Sequence, residues 1–354
     1  MKVFLFLCLS LQALFVWAEP EIKLFVGSSK SDVRLVGDLK VLGPEGQALF
    51  QGKSVNLEVG SGGILELDGK PTGFSELKIS SPGVISWGER QFRHNIEARS
   101  DKNAVSLTHQ LPLESYIEGV VASELPKSWG LEVLKAQAIA ARTYAIWQKS
   151  HKELLDSSVM DQVYHGVQRE HELAKRAVKE TAGQILTYRA KPAHTFFHAA
   201  CGGHTASSEE VFGGNEPYLK GVKCPYCHTS PAYRWKYEIS RKDLDKKLGA
   251  NVSKIKSIGE TNSGRVKNFR VLSDAKPKEM KSAELRRILG YSNFRSTLLT
   301  KKNFGWGSVE FGGRGFGHGV GMCQWGALTL AKKGKTAKQI LDYYYPGTEI
   351  RRFY

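Results

Sequence analysis

From Ile22 to about Thr108 the apolar residues fall in short alternating runs, among them Ile22, Leu24 and Val26, then Leu65 and Leu67, then Leu77 and Ile79. A period of two puts every second side chain on the same face of an extended chain, so this stretch reads as β-strands. Gly60-Ser61-Gly62-Gly63, Lys70-Pro71 and Ser81-Pro82-Gly83 interrupt the runs and supply the turns. Gln91 to Gln110 reads as one more hairpin, with Asp101-Lys102-Asn103 at its turn.

After residue 112 the period changes. Leu113, Tyr116, Ile117, Val120 and Val121 share one helical face, which predicts a helix over Leu113–Ser123. A second helix is expected from Leu131 to Lys149, with Leu131, Leu134, Ala138, Ala141 and Ala145 on one stripe and the polar Gln137 and Arg142 set inside it. A third helix is expected over Glu172–Thr181, ended by Gly183 and followed by strands at 184–188 and 195–198. Short helices are expected near 241–248, after Ser240 with Asp243 three residues on, and near 283–289. A last one at 337–345 opens on Thr336 and Gln339, the spacing of a capping box. Together these predict an α+β protein in which a small β-rich segment, 19–90, precedes a larger mixed body, 91–354.

The first residues do not belong to that fold. Lys2 followed by an apolar run from Val3 and ending in Val16-Trp17-Ala18 has the order of a secretory signal peptide, with cleavage expected after Ala18. Val3 to Ala18 is shorter than the ~20 residues that a membrane span needs. The remaining chain is therefore expected outside the cytoplasmic membrane, periplasmic or extracellular, with no transmembrane span, where reactions driven by cytosolic ATP or NAD have no supply. The composition adds a partner class: 51 Lys and Arg against 35 Asp and Glu give a net charge of +16, which favours an anionic surface or polymer. The basic residues are dispersed, as in Lys246-Lys247 and Lys332-Lys333-Gly334-Lys335, without an aromatic-interleaved stripe. Nucleic acid is accordingly not the expected partner.

Candidate chemistry begins in the first helix. Pro126 disfavours helix at Leu125, so the helix should stop around Glu124. A carboxyl there meets the negative helix end and has apolar Leu125 and Trp129 as sequence neighbours, two effects that raise its pKa. A partly protonated acid is what protonation of a glycosidic oxygen requires, whereas a solvated glutamate at a helix end would do nothing. The glycines at 313, 315, 317, 319 and 321 fail the phosphate-loop spacing and read as strand and turn glycines.

Four blocks carry a family resemblance: LPLESYIEGVVASELPKSWGLEVLKAQAIAARTYA at 111–145, DQVYHG at 161–166, FFHAACGGHTASSEEVFGG at 196–214 and GRGFGHGVGMCQWGA at 313–327. In this order they resemble the stage II sporulation protein D family, the SpoIID/LytB domain, over roughly Phe92 to Tyr354. The resemblance implies a SpoIID-type catalytic domain of mixed helices and antiparallel sheet that acts on peptidoglycan glycan strands as a lytic transglycosylase. It equally allows a non-catalytic wall-binding protein or an amidase enhancer that works through a cell-wall amidase. The family's catalytic glutamate sits before x-Pro after small residues, and Ala122-Ser123-Glu124-Leu125-Pro126 fits; Glu114 and Glu118 are the neighbouring alternatives. One acid suffices in such a lyase, because the sugar's own 6-hydroxyl replaces water, and the product is a 1,6-anhydromuramoyl end. Gln162, Tyr164, Arg142, His318 and Gln324 are the expected substrate-binding residues, with internal packing as the plain alternative for Gln162, Tyr164, Arg142 and His318. The chemistry asks for no cofactor.

Four cysteines remain once Cys8 is set aside with the leader: Cys201, Cys224, Cys227 and Cys323. Cys224-Pro225-Tyr226-Cys227 has metal-knuckle spacing, and four thiols complete a structural zinc site. Export would equally suit two disulfides. The zinc site built by some relatives around the block corresponding to 161–166 is not reproduced here, since that block holds His165 and no cysteine.

Overall fold

The computed structural model describes residues 18–101 and 103–354, so the expected signal peptide lies outside the described residues except for Ala18. The fold is α+β, as the change of period predicts. The alternating stretch forms most of one large, mainly antiparallel sheet. Glu21–Ser29 pairs antiparallel with Ala104–Pro112 and parallel with the short Leu154–Asp156. Ala104–Pro112 continues to Asn95–Asp101, then Glu76–Ser80, Val33–Leu42 and Ala48–Val59. Ile22, Leu24, Val26, Leu77 and Ile79 all point into the core, as period-two burial requires. The division expected at residue 90 falls inside the strand Arg90–Phe92, and the sheet runs through it. The β-rich segment and the body share one apolar core, which extends from Ile22 to Tyr345.

Eight α-helices lie among the described residues: α1 (Leu113–Glu124), α2 (Leu131–Lys149), α3 (Glu172–Glu180), α4 (Ser208–Phe212), α5 (Arg241–Leu248), α6 (Ser282–Leu289), α7 (Gln324–Lys332) and α8 (Ala337–Tyr344). None is long and apolar enough to cross a membrane. α2 is the axis of the body, packed by α1, α3, α7, α8 and the strand Gln184–Tyr188. Every residue from Ala136 to Ile146 is buried, so the single stripe expected from sequence is in fact a helix covered on all sides. Its alanines permit that close approach, and its polar residues need internal partners. α8 begins with the expected capping box, and Ser240 caps α5 by accepting the Asp243 N–H.

A second apolar core lies between residues 235 and 311, built by Trp235, Leu244, Ile255, Phe269, Leu285, Phe294 and Phe311. Two three-stranded sheets, Arg234–Ser240 with Ser308–Arg314 and Leu299–Phe304, and Val252–Glu260 with Val266–Ser273 and Lys278–Lys281, enclose it together with α5 and α6. This subdomain is inserted between α4 and α7, within the stretch expected as one continuous body, 91–354.

Candidate active site

Glu124 is the last residue of α1, and Leu125 is already extended, with φ −122°, ahead of Pro126. The helix therefore ends where X-Pro geometry requires it to end. The carboxyl is half-buried and held at both oxygens: Oε1 accepts the Val163 N–H at 3.1 Å and Oε2 accepts Gln324 Nε2 at 3.0 Å. Burial raises its pKa above the ordinary carboxyl range, and the two donors, Gln324 first, pull it back in part. Gln324 opens α7 and is itself 3.4 Å from Gln137 Oε1 on α2, so two amides and one acid converge from three helices. Trp129 and Trp325 meet edge to face beside them, with ring centroids 5.3 Å apart. Pro126, Lys127 and Ser128 lie exposed just beyond the carboxyl.

The segment 161–165 alternates inward and outward. Gln162 is buried, accepting the Tyr116 hydroxyl at 3.1 Å and donating to the Ala141 carbonyl at 3.2 Å. Tyr164 is buried against α1, where a Cβ on Gly119 would come within 2.3 Å of its ring. Both residues, expected at the substrate, are internal anchors that face away from solvent. What they position is the backbone between them, the Val163 N–H on Glu124. Asp161 fixes the start of the segment, accepting the Tyr144 hydroxyl at 2.9 Å and the Asp156 N–H at 2.7 Å.

Arg142 is likewise internal. It is fully buried and forms a bidentate pair with Glu114 at 2.8 and 2.6 Å, which leaves it no free donor fork for a ligand. The same pair holds Glu114 in internal packing. Glu118 has a raised pKa through burial and the nearby charge of Glu170, and lines a cavity of about 530 Å³ with Lys175, Arg176 and Lys179. A second cavity of about 480 Å³ lies at Lys23, Lys149 and Glu153. Neither is lined by Glu124. His318 is half-buried among Phe196, Phe212 and His198, and its Nδ1 accepts the Val320 N–H at 3.0 Å. Burial lowers its pKa to about 3, so the ring is neutral and packs as an aromatic. Gln324 alone of the expected binding residues reaches the acid directly. Gln137 was visible in the sequence as a polar residue in an apolar helix, but nothing local disclosed that its neighbour would be Gln324.

All four cysteines are buried, and their Sγ atoms lie within 4.8 Å of one another.

Residues 101–188 match the family described as Stage II sporulation protein, and residues 218–321, which contain the inserted subdomain, match a domain family of unknown function. The chain is 34% identical over 273 residues to the Stage II sporulation protein D of Bacillus subtilis, covering 70% of this chain and 77% of that one. It is 32% identical over 322 residues to the protein of that name from Bacillus amyloliquefaciens, covering 85% and 88%. An amidase enhancer of Bacillus subtilis is 31% identical over 291 residues, which span 67% of this chain and 40% of that protein. The chain belongs to the stage II sporulation protein D family.

Proposed function

We propose that the protein works at the cell wall, outside the cytoplasmic membrane, and cleaves peptidoglycan glycan strands as a lytic transglycosylase, with Glu124 as its acid and base. The observation that carries this reading is a half-buried carboxyl of raised pKa at a helix end, held by two N–H donors. Hydrolysis by the common two-carboxylate routes needs a partner acid within roughly 5–10 Å to activate water or form a glycosyl intermediate. Lysis with intramolecular ring closure needs one group used twice. The protonated Glu124 gives its proton to the departing glycosidic oxygen. The resulting carboxylate, stabilised by Gln324 and Val163, then accepts the proton of the C6 hydroxyl as that oxygen closes on C1. Proton and charge return to their starting state, and the product carries a 1,6-anhydro end. The net charge of +16 suits an anionic wall polymer.

The amidase enhancer among the relatives supports a second reading, in which the chain binds wall and promotes an amidase without cutting glycan itself. Mass spectrometry of peptide-free glycan strands after incubation with the purified protein separates the two. Anhydro ends are expected; new reducing ends would indicate hydrolysis, and intact strands that remain bound would leave only the enhancer reading.

A further inference from the structure

We infer that Cys201, Cys224, Cys227 and Cys323 bind one structural zinc ion as four thiolates, and that this site fixes the start of α7. The four sulfurs are packed mutually: all lie within 4.8 Å of one another, with Cys201 and Cys227 3.4 Å apart. A tetrahedron with Zn–S bonds of about 2.3 Å has S–S edges of roughly 3.8 Å, so small side-chain adjustments, Cys201 and Cys227 parting slightly and the wider pairs closing, would complete it. Two disulfides would instead sort the sulfurs into two pairs, each at about 2.05 Å.

The surroundings suit thiolates. The Cys201 and Gly326 N–H groups donate to Cys323 Sγ at 3.3 and 3.4 Å, and the Gly203 N–H donates to Cys201 Sγ at 3.4 Å. Such N–H donors orient metal-bound sulfur and spread its charge. The tetrathiolate would carry a net charge of −2, and the buried guanidinium of Arg265, donating to the Cys201 carbonyl at 2.8 Å, brings a compensating cation into the same packing. Gly326 leaves the necessary room, because a Cβ there would lie 2.8 Å from Cys224 Sγ. The stretch 213–233, which carries Cys224 and Cys227, contains no helix or strand. A segment of that length without regular structure gains most from a cross-link to its neighbours.

The ligands come from three places, and Cys323 is the informative one. It is the N-cap of α7, and the next residue, Gln324, donates to Glu124. A metal held by Cys323 would therefore anchor the helix start that aims Gln324, a positioning role that stands or falls separately from glycan cleavage.

The test uses the purified full chain, prepared without reductant or chelator. Elemental analysis should give close to one zinc per chain, and the denatured protein should show the mass of four reduced cysteines. Exchange for cobalt(II) should give thiolate charge-transfer and tetrahedral d–d absorption, both lost in Cys227→Ser. If that variant does not fold, the cobalt spectrum of the unaltered protein decides alone. Absence of metal with two disulfides, or with four freely reacting thiols, would overturn the assignment, as would iron in place of zinc.

Discussion

The chemistry proposed for Glu124 rests on how one carboxyl is solvated. Burial favours its neutral form, while Gln324 and Val163 favour the anion, so the acid is held between the two states it must visit. A raised carboxyl pKa means that the active, protonated acid is lost as pH climbs through that raised value. The rate should therefore fall on an alkaline limb displaced upward from that of an ordinary glutamate. Gln324→Ala removes a donor to the anion, which moves the limb to still higher pH and lowers the rate roughly tenfold to a hundredfold, the worth of a hydrogen bond to a charged group. A pH–rate profile of this variant checks both effects, and an unmoved limb would contradict the assigned contact. Sequence placed Glu124 at a helix end through Pro126, a local signal, and singled it out as the acid through the family resemblance. It did not separate Gln324, which touches the acid, from Gln162 and Tyr164, which face inward, because alternation along an irregular segment has no signature of its own in composition.

At the scale of elements, the site is a meeting of three pieces: the end of α1, the segment 161–165 and the beginning of α7. Gly119 is the point where the first two fit together, since the Tyr164 ring occupies the space of its missing side chain. Gly119→Ala should cost about 1–3 kcal/mol, the usual penalty of overpacking, and should also depress activity by shifting the Val163 N–H. Calorimetry reads the first effect; an unchanged melting temperature would show that the segment yields freely. Helices with caps and a clear stripe are legible in the sequence: the ends of α5 and α2 match expectation, and those of α1 and α8 fall within one residue of it. α7 was not. Its approach through Gly315, Gly317, Gly319 and Gly321, all at positive φ, reads as turns, and its first turn, Gln324-Trp325-Gly326, has no acidic or hydroxyl cap. The N-cap is Cys323, a residue that sequence rules assign to metals or disulfides before helix ends.

Over the described residues, β-rich segment, helical body and inserted subdomain are joined rather than strung together. The alternating pattern told which residues are strands, but not that strands before and after residue 90 share a sheet, because pairing partners are set by tertiary packing. The same packing makes stability depend on pH. His109 lies buried between Phe92 and Tyr164, and burial lowers its pKa to about 4, against about 6.5 unfolded. Between those values the unfolded chain takes up a proton that the folded chain refuses, so stability falls as pH drops from 6.5 toward 4, by on the order of 3 kcal/mol from this group. Urea midpoints at pH 7 and pH 5 should differ, and His109→Gln should narrow the difference without abolishing it, because burial also lowers the pKa of His194, His198 and His318; an undiminished difference in the variant would argue that the His109 ring is charged or solvated.

Whether one carboxyl is the chemical group decides the proposed activity. Cleavage and retention of peptide-free glycan strands, measured side by side for the unaltered protein and Glu124→Gln, address that directly. The prediction is that the variant folds, still retains strands and loses turnover by about a hundredfold or more, the contribution of a positioned acid–base group. Turnover equal to that of the unaltered protein, or turnover lost only in Glu118→Gln, would contradict it.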